Sequence, residues 1–209
     1  MIYLDNAATS FPKPTAVYQN VMKAMKKYGA NPGRGSHAMA IEGAKIIYET
    51  RELLAELFNL DDPLNVILTF NATDGLNLAI KGLLKPGDHV ITTSMEHNSV
   101  LRPIMELQKN GVENTVVQCE KDGKIKISDI ETAIKGNTKL IVTTHVSNLT
   151  GTIFPIEDIG MLCKRYQIPY LVDAAQSAGV LEIDVKKSNI SFLAVPGHKG
   201  LLGPQGTGA

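Results

Sequence analysis

Apolar and polar positions follow two different periods along this chain, and the change from one to the other divides it. Val17, Val21, Met25 and Tyr28 recur at three- and four-residue steps, which predicts a helix over 14–28, with Pro14 suited to its first turn. Gly29-Ala30-Asn31-Pro32-Gly33 breaks that pattern. Ser36 is the expected cap of a second helix running to about Asn59, with Ile41, Ala44, Tyr48 and Ala55 on one face. Asp61-Asp62-Pro63 reads as a turn. Beyond it come short apolar runs separated by helical stretches. Strands are expected at 66–70, 89–93, 115–119, 139–145, 169–173 and 190–195, and helices at 73–84, 97–109, 128–135 and 156–166. Strands alternating with helices of about ten residues imply crossover connections and a mostly parallel sheet covered on both faces. The fold class is therefore α/β, a three-layer α/β/α arrangement. No repeat or linker divides the alternating part, so residues 15–209 read as one main domain behind an N-terminal arm, 1–14.

Composition narrows the picture. The 209 residues suffice for one core, and 44% hydrophobic content argues against disorder. Lys plus Arg and Asp plus Glu are both 21, so the chain has no electrostatic footprint for nucleic acid or an anionic membrane. Runs such as Val66-Ile67-Leu68 and Leu140-Ile141-Val142 are too short to span a bilayer. The start, Met1-Ile2-Tyr3-Leu4-Asp5, lacks the basic and long apolar regions of a signal peptide. Two cysteines, Cys119 and Cys163, form neither a disulfide framework nor a metal quartet. A soluble cytoplasmic protein without metal is the expectation. The chain stops inside a glycine-rich stretch, Gly197 to Ala209, where domains seldom finish, so a longer parent protein is expected.

In open parallel sheets, ligands bind beyond the carboxyl ends of the strands. Five predicted strand ends carry polar groups: Asn71-Ala72-Thr73, Ser94-Met95-Glu96-His97, His145-Val146-Ser147-Asn148, Asp173-Ala174-Ala175-Gln176 and Pro196-Gly197-His198-Lys199. Ala72 and Thr73 open a helix whose free N–H groups suit a phosphate. Asp173 can pair with a cationic ring nitrogen. Lys199 can form a Schiff base with an aldehyde. His97 offers a flat face for stacking. A phosphate, a ring cation, a stacking face and an aldehyde coincide in pyridoxal 5'-phosphate. The glycines at 203–208 do not form G-x-G-x-x-G, and no G-x-x-x-x-G-K-[ST] occurs.

These segments, in this order, resemble the class V aminotransferase family of fold-type I pyridoxal-phosphate enzymes, in the branch of cysteine desulfurases and selenocysteine lyases. Tyr3-Leu4-Asp5-Asn6-Ala7-Ala8-Thr9-Ser10 is similar to that branch's opening, and Gly33-Arg34-Gly35-Ser36-His37 to its early substrate-side loop. Phe70 to Asn77 resembles its phosphate-binding turn, and Glu96-His97-Asn98-Ser99 its ring-stacking segment. The resemblance implies a large domain cut short after the cofactor lysine, with the C-terminal small domain absent. It implies Lys199 as the Schiff-base residue and proton shuttle, and Asp173 on the pyridine nitrogen. His97 stacks on the ring and is the second catalytic residue. Gln176 lies on the phenolic oxygen, Asn148 near that oxygen or the substrate carboxylate, Ala72 and Thr73 on the phosphate, and His198 beside it. Arg34 and His37 are candidates on the substrate side and equally consistent with a surface loop.

The implied activity of the complete protein is conversion of L-cysteine, or a similar amino acid, to L-alanine, with sulfur passing to an enzyme cysteine and then to an acceptor protein. A homodimer is implied as well. Pro196 departs from the family, since many relatives have Ser or Thr three residues before the lysine. Neither Cys119 nor Cys163 matches the family's mobile cysteine loop, so little turnover is expected of these residues alone. The alternatives are another class V aminotransferase or β-elimination lyase, or a non-catalytic cofactor-binding scaffold.

Overall fold

The computed structural model describes residues 2–209. Five strands, β1 (His89–Thr93), β2 (Glu113–Val117), β3 (Thr138–Thr144), β4 (Tyr170–Asp173) and β5 (Phe192–Ala194), form a sheet in the order β2-β1-β3-β4-β5. All neighbouring pairs are parallel. The helices that alternate with them are α3 (Ala72–Leu83), α4 (Asn98–Gln108), α5 (Ile127–Thr132) and α6 (Ile156–Tyr166). Leu140, Val142 and Leu171 pack with Leu76 and Ile80 of α3 and Val100 and Ile104 of α4. On the opposite face Ile141, Tyr170 and Val172 pack with Ile130 of α5 and Ile159, Leu162 and Cys163 of α6. This is the three-layer α/β/α arrangement expected. A strand buried on both faces must be apolar at successive positions, which is why β3 reads Leu140-Ile141-Val142. Each such side chain contributes about 1.5–3 kcal/mol.

The topology places a crevice. β1 leads through α4 to β2, while β3 leads through α6 to β4, so the chain leaves the two central strands in opposite directions and on opposite faces. Their carboxyl ends are the switch point at which open α/β sheets bind ligands.

The first 70 residues depart from expectation. α1 (Thr15–Lys27) forms, but its apolar stripe is only partly covered: Val17 and Tyr28 are half-buried, Val21 and Met25 are exposed, and no residue of α1 is buried. α2 (Ala38–Leu57) is capped by His37, whose Nδ1 accepts from the Ala40 amide at 3.4 Å, and not by Ser36, which lies one residue too early. Ile41 and Tyr48 face solvent, and only Ala40 and Ala55 are buried along this helix. The expected strand at 66–70 is absent. Pro63–Asn65 is a 3-10 turn, and Thr69 makes a lone antiparallel bridge to Gly208, its amide donating at 2.8 Å. A strand needs a neighbour for its N–H and C=O groups, and within these residues the segment makes this one bridge. β2 begins two residues early because its register, His89 opposite Glu113 through Thr93 opposite Val117, is set by β1. Among the described residues no helix is long and apolar enough to cross a membrane.

Candidate active site

A cleft of about 340 Å³ opens at the carboxyl edge of the sheet, within the size range of small-molecule sites. Ala72, Thr73, His97, Asn148, Asp173, Gln176, His198 and Lys199 all line it. They arrive on five separate segments of the chain. Ala72 and Thr73 begin α3, whose cap is Asn71: its Oδ1 accepts from the Asp74 amide at 2.9 Å. No intramolecular acceptor takes the Ala72 and Thr73 amides among the described residues, as the first turn of a helix requires. His97 caps α4, its Nδ1 accepting from the Ser99 amide at 3.1 Å, so the ring hydrogen sits on Nε2. Ser99 Oγ lies 2.8 Å from His97 Nδ1 and 2.8 Å from Thr73 Oγ1, a hydroxyl relay between the two helix ends. Asn148 is exposed at the lip, on the loop beyond β3.

Asp173 ends β4 and is 3% exposed. Its Oδ1 accepts from the Ala175 amide at 2.9 Å. Burial raises its pKa; that amide and the nearby His97 and Lys199 pull it back. Lys199 lies in the turn that follows β5, closed by the Leu202 amide donating to the Lys199 carbonyl at 2.9 Å. Gly200 keeps that turn against the loop that follows β4: a Cβ there would lie 2.7 Å from Val180 Cγ2 and closer still to the Ala178 carbonyl oxygen. Desolvation lowers the Lys199 pKa, with Asp173 opposing it. The site thus holds a half-buried amine with an enlarged neutral fraction and a buried carboxyl that lacks a full counter-charge. A group bringing an electrophilic carbon to Lys199 and a cationic ring nitrogen to Asp173 answers both needs, and the α3 amides with the Thr73 and Ser99 hydroxyls suit its phosphate. The donor set fits pyridoxal phosphate.

The N-terminal arm closes one wall. The His198 carbonyl accepts from the Ser10 amide (3.2 Å), Ser10 Oγ (3.1 Å), Thr9 Oγ1 (3.1 Å) and Lys13 Nζ (2.5 Å). Ser10 Oγ also donates to the Lys199 carbonyl at 2.9 Å, and Gln176 Nε2 to the Ala7 carbonyl at 3.1 Å. Residues 5–13 and Ser99 were not singled out from sequence. The signals they carry are the opening motif, which spans 3–10, and for Ser99 the ring-stacking segment; neither says what it touches. Glu96 was quoted only as part of its motif, yet it is buried beneath the site. Arg34 and His37 do not line the cleft; both are exposed, and His37 caps α2. Pro196 lines it without a hydroxyl to offer. Neither cysteine reaches it. Cys119 lies beyond β2, half-buried, and burial pushes the Cys163 thiol up to about 12.

Comparison with known proteins agrees with this geometry. A family model described as aminotransferase class-V matches residues 2–209. A probable cysteine desulfurase of Methanothermobacter thermautotrophicus is 36% identical over 208 residues, 99% of this chain and 52% of that protein. The cysteine desulfurase IscS of Shewanella loihica is 39% identical over 214 residues, 100% of this chain and 52% of that protein. Among solved structures, an apo cysteine desulfurase from Thermococcus onnurineus matches with a TM-score of 0.92 and 37% identity over 99% of this chain and 52% of its own. SspA in complex with cysteine matches with a TM-score of 0.93 and 35% identity, over 100% of this chain and 60% of its own. The chain spans about half the length of the curated relatives it matches. With the family matched from residue 2 to residue 209 and the fold shared with a cysteine desulfurase of known structure, this chain belongs to the aminotransferase class V family.

Proposed function

We propose that the protein containing this chain is a pyridoxal-phosphate-dependent cysteine desulfurase, taking sulfur from L-cysteine and leaving L-alanine, and that the cleft described here holds the cofactor. The observation that carries this reading is the pairing of a desolvated Lys199 amine with a buried Asp173 carboxyl across one cleft. When bound, pyridoxal phosphate supplies an aldehyde that condenses with amines and a ring that accepts the electron pair left at a substrate α-carbon. Lys199 serves as the amine that holds the cofactor and later moves the proton at the substrate α-carbon. Asp173 binds the ring N–H and keeps it protonated. His97 stacks on the ring with its Nε2–H directed away from the helix it caps. The Ala72 and Thr73 amides bind phosphate at the α3 N-terminus, with His198 beside it. Gln176 and Asn148 orient the phenolic oxygen and the substrate. Arg34 and His37, outside the cleft, take no part in this reading.

Neither thiol of this chain is placed to receive sulfur, and Cys163 stays protonated at neutral pH. The accepting thiol therefore lies outside these 209 residues, as does the onward acceptor protein. Self-association as a homodimer is part of the same reading, supported by apolar side chains exposed on α2, such as Leu53 and Leu57, and before α3, Phe70.

The test is a visible absorption spectrum of the full 209-residue chain with pyridoxal phosphate, before and after borohydride, beside Lys199→Ala. A visible band fixed covalently on the Lys199 peptide and lost in the variant is expected. No lysine-dependent band in the wild-type chain overturns the proposal. The chain is expected to bind without turning over L-cysteine; sulfide release at the rate of a complete enzyme would overturn the placement of the thiol.

A further inference from the structure

β1 and β3 are the central strands, yet their ladder is short. It joins His89, Val90 and Ile91 to Thr138, Leu140 and Ile141, and stops there. The last residues of both strands, Thr93 and Thr144, lie beyond that ladder, at the crevice where the cleft opens. One side chain spans the split. Glu96, 8% exposed, accepts at Oε1 from Thr93 Oγ1 (2.6 Å) and from the Thr144 amide (3.1 Å). Its neighbour in sequence is His97. Thr144 stands opposite Asp173 in the β3–β4 register, and its hydroxyl donates to the Val146 carbonyl (3.0 Å) on the loop that carries Asn148.

We propose that Glu96 is a positioning residue of this site, its carboxyl tying the loop that carries His97 to the strand end beside Asp173. The inference rests on the cofactor reading above for its purpose, and on the strand geometry alone for its existence. A clamp by itself does not call for an acid, since an amide would supply the same acceptor oxygen. Here Oε2 is buried with no hydrogen-bond partner among the described residues. Leaving a buried polar atom unpaired is costly, and burial of this kind favours the neutral, protonated acid over the carboxylate.

Burial outweighs the Thr93 and Thr144 hydrogen bonds and holds the Glu96 carboxyl up to about 8. The titratable groups facing it are Asp173 and Tyr170, both on β4; Lys199 and His97 act on Asp173. At neutral pH Glu96 therefore keeps its proton, and of the two buried acids Asp173 is the one that lines the cleft. Ionisation of Glu96 in alkali sets a second negative charge beside Asp173, which raises the Asp173 pKa and disfavours a phosphorylated ligand.

The test uses the whole chain as wild type, Glu96→Gln and Glu96→Ala. Gln keeps the acceptor oxygen and removes the charge; Ala removes both. The first readout needs no cofactor: NMR titration of the Asp173 carboxyl and the His97 ring from pH 5 to pH 9. The wild type is expected to show a step near pH 8 in the Asp173 signal that Glu96→Gln lacks, and Glu96→Ala to displace the His97 and Asn148 signals at every pH. The second readout is pyridoxal-phosphate affinity. Between pH 7 and pH 9 it should fall about three- to tenfold further in the wild type than in Glu96→Gln. Identical Asp173 titrations in wild type and Glu96→Gln overturn the charge argument, and unmoved His97 and Asn148 signals in Glu96→Ala overturn the clamp. A wild type that shows the NMR step but no lysine-dependent band refutes the cofactor reading and leaves the positioning role standing.

Discussion

Two glycines in helices offer a controlled comparison. Replacing a mid-helix glycine by alanine gains about 1 kcal/mol in helix propensity wherever the methyl group has room. Gly82, near the end of α3, has room: it is exposed, and a Cβ there meets nothing within 4 Å. Gly160, inside α6, has none. A Cβ there would lie 2.8 Å from the Ser188 carbonyl carbon and closer still to its oxygen, and the obstacle is backbone, which cannot rotate away. Ser188 is itself buried, in a turn held by its amide donating to the Asp184 carbonyl at 3.0 Å. α6 must lift off that turn, and overpacking of this kind costs about 1–3 kcal/mol or more. Gly82→Ala is expected to stabilise the chain by about 0.5–1 kcal/mol. Gly160→Ala is expected to destabilise it by about 2 kcal/mol net of its propensity gain. Urea unfolding of both variants beside the wild type measures the difference. The turn at Ser188 feeds β5 and then Lys199, so Gly160→Ala should also weaken pyridoxal-phosphate binding while Gly82→Ala leaves it alone. A Gly160→Ala chain as stable as the wild type would refute the packing of α6 against this turn.

Three further outcomes are expected. Asp173→Asn should lower pyridoxal-phosphate affinity about ten- to a hundredfold, the worth of a charged hydrogen bond, in a spectroscopic titration; equal affinity would remove Asp173 from the site. Ser10→Ala removes the hydroxyl that donates to both the His198 and Lys199 carbonyls, so limited proteolysis should cut the arm, residues 2–14, several-fold faster while the sheet resists as before; unchanged cleavage would mean that the arm is held elsewhere. The Glu96 carboxyl is raised from 4.5 to about 8, so its contribution to stability is full below pH 4.5 and is lost as pH rises to 8. Across that window the loss is of the order of 5 kcal/mol, and urea midpoints of Glu96→Gln should exceed those of the wild type by a margin that widens from pH 5 to pH 8.5; a constant margin would contradict it.

From Ala72 onward the elements were legible because a sheet buried on both faces leaves a local trace. Its strands must be short apolar runs, and the amphipathic helices between them must show a 3.6-residue period, so 89–93 and 156–166 could be bounded from the sequence alone. The chemistry at the strand ends was legible for the same reason: once the strands are known, so is the edge to which each following residue comes. The structure gathers Ala72, Thr73, His97, Asn148, Asp173, Gln176, His198 and Lys199 at one cleft, from positions as much as 127 residues apart.

The rest depended on neighbours that local pattern does not name. The run at 66–70 has strand composition, and only the fold shows that its bridge is made to Gly208, 139 residues further on. Arg34 and His37 sit in a motif, and only the placement of α2 decides that His37 caps a helix away from the cleft. Ser10 meets the carbonyls of His198 and Lys199 across 188 and 189 residues, and Glu96 meets the Thr144 amide across 48. The sequence by itself thus determined the layered sheet, its order of elements and the polar groups delivered to its edge, because those follow from periods of two to four residues. Tertiary structure decided which of those groups share a cleft, what holds them in place and which carboxyl keeps its proton. Distance, burial and unpaired hydrogen-bonding groups are properties of contacts, and they exist only once the chain has closed on itself.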